Sequence, residues 1–554
     1  MAIDKRFYFF MIINIVTQIF DPTSKLFHII AAIACGFIFI TGIYYILDGL
    51  GIPKKISHIA KNVIVWITII VGFVEFFCFL NFKIPFNPAF IDVILSTQKI
   101  ETYSFLKFYF TMPPNIILLI AYAVFCILFF AIKKDWVYPI SKRWGQIFLA
   151  LCVLALVVFT IKDHIQDNKF HTLKRSLQAV NMLNFFYSIG AGISHTRGYL
   201  KEYENYRAYM ANHLKSADYI TQNHADIPNI IIVIGESASK NFMHIYGYPL
   251  STTPHLDQAQ KNGNLFVFRD VIAPESSTSA VFQTLLNFSD YENRQIPWYR
   301  QMNLIDTMKM AGYKTFWFSN QEKISVYGNV PSALSTRADG AFWTQIKAVV
   351  SAMPDGELVD LFQKHKQDLG KKNLIIFHLQ GSHPDYKDRF PSDYQKFTPQ
   401  DINTQGLHTS FKDSRQKVAD YINSITYTDA VLDEIFHLFN DSDSIVFYLS
   451  DHAQDIFETD GSIGHRCSNY GVDIPFMIFV SDTFKKLHPQ KVQAIQSALN
   501  KPFMTDDFIQ SFLPLIGITT QDNISSKNIF SPHFDTHRKR IYCKERDYDA
   551  LKYP

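Results

Sequence analysis

The chain lacks both a long basic block and an acidic tail: 53 Lys and Arg stand against 50 Asp and Glu, for a net charge of +3 over 554 residues. The first absence argues against nucleic acid as a partner, and the second against a disordered tail. No internal repeat and no low-complexity linker is visible. Cysteine is scarce. Of the six, Cys35, Cys78, Cys126 and Cys152 lie in apolar stretches and read as small buried hydrophobes. Cys467 and Cys543 lie in the polar remainder and could pair if it faces an oxidising compartment, which the sequence leaves open. No small-residue cleavage site follows the first apolar segment, which therefore reads as an anchor and not as a removed signal peptide. Aromatic residues, in contrast, are plentiful. Many of the 50 Phe and 28 Tyr fall in the first 130 residues, as in membrane helices with aromatic ends. The length suggests two to four structural units.

A spanning helix needs about 20 mostly apolar residues. Five segments approach this: Phe7 to Phe20, Phe27 to Leu47, Val63 to Leu80, Asn115 to Ile132 and Gln146 to Ile161. The first is the weakest, being short and carrying Asn14, Thr17 and Gln18. Basic residues before the first segment (Lys5, Arg6), between the second and third (Lys54, Lys55, Lys61) and between the fourth and fifth (Lys133, Lys134, Lys142, Arg143) mark the cytoplasmic ends. An odd number of spans then places everything after Lys162 outside the cytoplasm. The loop from Asn81 to Pro114 falls on that same outer side and contains Thr97 and Glu101. A carboxylate there suits a lipid amine; a solvated loop charge is the other reading.

The expected organisation is a transmembrane domain of five helices over residues 1–162, a connector over 163–228, and a soluble domain over 229–554. The connector contains Leu177 to Tyr187, whose apolar positions recur at near-helical spacing. A helix lying in the membrane interface fits it, and so does packing against the soluble domain. In the soluble part, β-rich runs at Ile230 to Ile234, Lys314 to Phe318, Leu374 to Leu379, Ile445 to Leu449 and Phe476 to Val480 alternate with helical patterns at Leu304 to Met310, Leu358 to Gln367 and Val418 to Phe439. Such alternation predicts an α/β fold, a largely parallel sheet with helices on both faces. Its ligands bind beyond the carboxyl ends of the strands.

Ionisable residues gather at that edge. Glu236 follows the first run by two residues, Asp451 and His452 follow Leu449, and His383 follows Leu379 through Gln380-Gly381-Ser382. Two carboxylates and an imidazole suit a hard-to-borderline metal ion such as Zn²⁺. Thr278 stands where a loop runs into a short helix, and free N–H groups there favour phosphate. A simple N-cap is the other reading, and Ser276, Ser277 or Ser279 could fill it.

Taken together, these segments resemble the membrane-bound phosphoethanolamine transferases of Gram-negative envelopes, within the alkaline-phosphatase and sulfatase superfamily. The matching stretches are Asn229 to Ser237, Tyr246-Gly247-Tyr248 with Thr253-Pro254 and Leu256, Phe316 to Gln321, His378 to His383, Tyr427-Thr428-Asp429, and Ser450-Asp451-His452. The resemblance implies an alkaline-phosphatase-like α/β/α sandwich in the periplasm, held at the bacterial inner membrane by several spans. It implies Zn²⁺ held by Glu236, Thr278, Asp451 and His452, with Thr278 as phosphoryl carrier; the sequence leaves open whether Mn²⁺ serves instead. His383 and His465 match histidines that face the substrate, Asn320 matches a headgroup contact, and Thr97 and Glu101 match a threonine and glutamate of the outer loop. The implied reaction moves phosphoethanolamine from phosphatidylethanolamine to an envelope glycolipid or glycan, such as lipid A or the lipopolysaccharide core, and releases diacylglycerol.

The chain also departs from that pattern. After Asp451-His452 it reads Ala453-Gln454-Asp455 where the family usually has glycine and acidic residues, and Pro384 follows His383 directly. The cysteine-rich set of the polymyxin-resistance branch is absent, which weakens the case for lipid A as acceptor. Two other functions share parts of the pattern. A glycerol-phosphate transferase resembling lipoteichoic acid synthases would use the same threonine and ligands on phosphatidylglycerol. A non-catalytic envelope protein would keep the fold for binding. A sulfatase activity fits less well, because position 278 is Thr and no Cys-x-Pro-x-Arg lies nearby.

Overall fold

The computed structural model describes residues 2–21, 26–49, 52–82, 84–96, 99–132, 137–139, 177–194, 218–322, 330–345, 353–409 and 414–550, with isolated positions between 140 and 217. The chain divides into two compact units, one of Met1–Ile94 with Tyr109–Gly198 and the other of Leu95–Phe108 with Tyr199–Pro554.

The first unit is helical, with α1 (Lys5–Phe20), α2 (Leu26–Gly49), α3 (Lys54–Phe82), α4 (Pro88–Ser96) and α6 (Pro113–Ala131); α5 (Lys99–Phe110) belongs to it only from Tyr109. Among the described residues, three helices are long and apolar enough to cross a membrane: Ile29–Gly49, Lys54–Phe82 and Pro113–Ala131. These correspond to the second, third and fourth of the five expected spans. Helix α1 has 16 residues, about 24 Å at 1.5 Å per residue, short of a ~30 Å hydrocarbon core. Residues 146–161, the expected fifth span, lie for the most part outside the described residues, as do Lys133, Lys134 and Lys142.

The polar residues that weaken α1 as a span have structural partners. Asn14 donates to the Ala32 carbonyl at 3.0 Å and accepts from the Asn181 N–H at 2.9 Å, and Asn181 also bonds Thr17. Val180 and Met182 are buried in one cluster with Phe7, Phe10, Ile40 and Tyr44. One described part of the connector, a helix over 181–194, packs within the first unit, and another, the strand Ile220–Asn223, pairs with Ile518–Thr520 in the second. Farther along it, Asn184 donates to the Phe86 carbonyl at 2.8 Å, while the buried Glu75 carboxylate accepts from the Phe86 N–H at 3.0 Å.

The second unit is built on a seven-stranded sheet: β1 (Asn229–Gly235), β2 (Leu265–Phe268), β3 (Lys314–Glu322), β4 (Gly340–Gln345), β5 (Asn373–His378), β6 (Ser444–Ser450) and β7 (Phe476–Val480). Their order across the sheet is β2-β7-β6-β1-β5-β3-β4. The five strands from β6 to β4 are parallel, and β7 runs antiparallel to both its neighbours. Strand β1 is central and Ile230 to Ile234 are fully buried, as a parallel strand covered on both faces requires. Strands β2 and β4 went unread in the sequence. The first has four residues, and the second opens on glycine and mixes polar with aromatic residues.

Register decides what comes together. Ile234 pairs with Leu449 on one side and with His378 on the other. The chain therefore leaves three adjacent strands at one edge, carrying Glu236, Asp451-His452 and the segment to His383.

Cys467 and Cys543 form a disulfide across 76 residues of sequence, with Cα atoms 6.0 Å apart. Closing a loop of this length restricts the unfolded chain. Replacing both cysteines by serine is expected to lower the stability of the second unit by about 2–5 kcal/mol, read as a lower denaturant midpoint.

Candidate metal and phosphoryl-transfer site

The edge begins with Gly235-Glu236-Ser237. Ser237 has φ 61°, in the left-handed region, a conformation that costs a non-glycine residue on the order of 1–3 kcal/mol. It is held there by the Tyr421 hydroxyl donating to its carbonyl at 2.8 Å and by its own N–H donating to Asp451 Oδ1 at 3.2 Å. The turn aims the buried Glu236 side chain across the strand ends. The loop after β5 comes close behind it, with the Ser382 N–H bonded to the Glu236 carbonyl at 2.9 Å. Gly381 permits this approach: its φ is +53°, and a Cβ there would meet Glu236 O at 2.5 Å.

Thr278 is the first residue of helix α7 (Thr278–Leu285), behind an Ser277 N-cap whose side chain makes no capping bond. Its Oγ1 donates to Glu236 Oε2 at 2.9 Å and lies 3.4 Å from His452 Nε2. Thr278 is partly exposed, whereas Glu236, Asp451 and His452 are buried. A hydroxyl reachable from outside thus sits on a buried acid and imidazole.

The donor set fits a divalent cation. His452 Nδ1 is 3.0 Å from the Ala453 carbonyl, which can only accept, so the ring holds a hydrogen on Nδ1 and Nε2 is the atom left to offer a metal ion its lone pair. That lone pair faces oxygen: Glu236 Oε1 and Asp451 Oδ2 at 3.5 Å each, and Thr278 Oγ1 at 3.4 Å. Asp451 Oδ1 accepts from the His452 N–H at 2.7 Å, but Oδ2 is buried with no hydrogen-bond donor among the described residues. Lone pairs packed against one another in a dry site repel unless a cation lies between them. Tetrahedral Zn²⁺ with bonds of about 2.0–2.2 Å sets its ligands about 3.3–3.6 Å apart, the spacing found around Nε2. His465 also offers a ring nitrogen within 4.8 Å of the Glu236 and His452 donor atoms.

His383 and His465 gather beside His452. Their rings are 5.7 Å apart, and His465 is 4.5 Å from the His452 ring. Burial, with Arg389 and His452 nearby, pushes the His383 imidazole well below its ordinary range. Burial, with His452 and His383 nearby, does the same to His465. Both rings are therefore neutral at neutral pH and present one N–H each.

Asn320 is placed differently. It is fully buried, its Nδ2 donates to Asp355 Oδ1 at 2.7 Å and to the Met353 carbonyl at 2.8 Å, and its Oδ1 accepts from Thr344 at 2.5 Å. These bonds hold Asp355, whose carboxylate accepts the Gln380 and Gly381 N–H groups at 2.8 Å each. Asn320 thus supports the loop leading to His383. Thr97 and the Glu101 side chain lie outside the described residues.

Several residues of the site escaped the sequence reading. Gln321 Nε2 lies 3.5 Å from Glu236 Oε2, and Ser237, Gln454, Tyr386 and Tyr421 form bonds behind the same carboxylate. Ser237 and Gln321 stood inside matched segments. Tyr386 and Tyr421 carried no signal, because only the fold brings them near.

Residues 228–518 match the family model described as Sulfatase, more than half of the 554 residues. The phosphoethanolamine transferase EptC of Escherichia coli is 25% identical over 525 residues, covering 90% of this chain and 88% of its own. The crystal structure of the C-terminal periplasmic domain of Escherichia coli EptC, in complex with Zn, matches 61% of this chain and 97% of its own at 27% identity, with a TM-score of 0.55. The integral membrane lipooligosaccharide phosphoethanolamine transferase EptA of Neisseria meningitidis matches 94% of this chain and 98% of its own. Its TM-score is 0.58 and its identity 16%, a likeness of fold.

Proposed function

From a chain that belongs to the sulfatase family, we propose a transferase that moves phosphoethanolamine from phosphatidylethanolamine, through Thr278, to a hydroxyl of an envelope glycolipid or glycan. Its proposed place is the bacterial inner membrane, with the second unit in the periplasm. The observation that carries this reading is the Thr278 hydroxyl, partly exposed and 2.9 Å from a buried carboxylate beside a bare imidazole nitrogen. Similarity to EptC along 90% of the chain supports the phosphoethanolamine group, and the Zn-complexed EptC domain supports zinc.

Glu236, Thr278, Asp451 and His452 would hold the ion. A zinc ion in that set acts as a Lewis acid, favouring the alkoxide of a hydroxyl and polarising a phosphoryl oxygen. Glu236 Oε2 already accepts the Thr278 hydrogen and orients the oxygen for attack. Threonine Oγ1 attacks phosphorus, the bond to the glycerol oxygen breaks, and diacylglycerol leaves with a proton. The acceptor hydroxyl then attacks the same phosphorus, loses its proton, and restores the Thr278 hydroxyl. Neutral His383 donates its N–H to a phosphoryl oxygen, where charge grows in both steps, while His465 stands beside the same site.

Vesicles carrying labelled phosphatidylethanolamine or phosphatidylglycerol separate this function from glycerol-phosphate transfer. Diacylglycerol release is expected from the first lipid alone. With a slow acceptor, mass spectrometry should find phosphoethanolamine on the peptide containing Thr278. Label on another residue, or release from phosphatidylglycerol instead, rejects the reading.

A further inference from the structure

The Ser237 hydroxyl is a junction that the reaction above leaves unused. Its Oγ lies 2.6 Å from Glu236 Oε1, 3.1 Å from Gln454 Nε2 and 3.2 Å from His465 Nε2. A hydroxyl has one hydrogen and two lone pairs. An ionised carboxylate only accepts, so that hydrogen goes to Glu236. The other two neighbours must then donate, Gln454 through its amide and His465 through its ring N–H. The far end of the amide agrees: the Tyr386 hydroxyl donates to Gln454 Oε1 at 3.0 Å. A flipped amide would set its oxygen against a serine oxygen whose hydrogen is already committed.

The network is dry. Ser237 and Gln454 are fully buried and Tyr386 nearly so, so water does not compete for these bonds. The Tyr386 ring packs edge-on against Phe108 at 5.7 Å and against Tyr421 at 5.0 Å. Tyr421 donates to the Ser237 carbonyl. Two touching tyrosines therefore reach one serine, Tyr421 at its backbone and Tyr386 at its hydroxyl through Gln454.

We propose that Gln454 is a positioning residue: through Ser237, with Tyr386 behind it, it sets the plane of the Glu236 carboxylate so that Oε1 is engaged and Oε2 meets the Thr278 hydroxyl. The inference rests on the zinc-site reading above and not on which lipid is the donor.

The test uses the full-length protein in detergent, stripped of metal, with zinc affinity measured by competition against a chromogenic chelator. Gln454→Met keeps the volume and removes both hydrogen-bonding atoms. It is expected to weaken zinc binding about 10–100-fold, the usual effect of losing a partner behind a metal ligand. Tyr386→Phe should act in the same direction and less strongly. The double variant should match Gln454→Met alone, because the tyrosine acts through the amide. In diacylglycerol release, kcat should fall with KM for phosphatidylethanolamine unchanged. Zinc affinity of Gln454→Met equal to the parent's overturns the proposal, as do single losses that multiply in the double variant. Should Gln454→Met fail to fold by circular dichroism, Ser237→Ala deletes the junction itself; the same loss of zinc affinity supports the proposal, and unchanged affinity overturns it. A parent that binds zinc but transfers no headgroup rejects the lipid reading and leaves the zinc comparison intact. A parent that binds no zinc overturns both.

Discussion

Thr278→Ala is expected to abolish diacylglycerol release from phosphatidylethanolamine vesicles, by on the order of 10⁴–10⁶-fold in kcat, as removal of a covalent nucleophile does elsewhere. The size follows from the geometry. Thr278 Oγ1 is partly exposed and bonds Oε2 of the buried Glu236 carboxylate, whereas the Ser237 hydroxyl on Oε1 is fully buried. Ser276, the neighbour a sequence could confuse with it, is buried and its Oγ lies 3.4 Å from Cys467 Sγ. Ser276→Ala should therefore keep its transfer activity within the range of an ordinary substitution. Folding should survive Thr278→Ala, since one side-chain hydrogen bond contributes about 0.5–1.5 kcal/mol. Retained release by Thr278→Ala, with the protein folded, removes the threonine from the reaction.

Metal removal is the second large effect. Glu236, Asp451 and His452 bring two carboxylates and an imidazole into a site with 1%, 0% and 0% exposure. Without a cation, the His452 lone pair and the unpaired Asp451 Oδ2 face each other at 3.5 Å. Chelation is expected to remove activity and to lower the thermal midpoint by several degrees, since a ligand at 1,000 times its Kd adds about 4 kcal/mol to stability. Differential scanning fluorimetry with chelator and then with excess zinc measures it, and zinc should restore both signals. An activity indifferent to chelator, together with an unchanged midpoint, rules out the ion.

The sequence was clearest where one physical cause dominates. Long apolar runs gave α2, α3 and α6, and the buried parallel strand β1 read as an unbroken run of Ile and Val. It misled where tertiary partners change the meaning of a residue. Asn14 and Thr17 look like defects in a membrane span, yet they bond the 181–194 helix inside the first unit. Asn320 was legible as part of a matched segment, but its bonds to Asp355, Met353 and Thr344 come only from the fold.

The sequence alone determined which chemistry is available: a carboxylate, an acid–imidazole pair and a hydroxyl, each just beyond a strand or at a helix start, behind a membrane-fit N-terminal region. Those are local facts, because hydrophobic period and residue type act over a few neighbours. Tertiary structure alone decided which oxygen meets which nitrogen. Strand register brings Glu236 and His452 together from positions 216 residues apart in number (452 − 236). It also decided that Cys467 reaches Cys543, and that Gln454 reaches Ser237. Distances of 3 Å between remote residues are set by how the whole sheet and its loops pack, and no short stretch of chain carries that information.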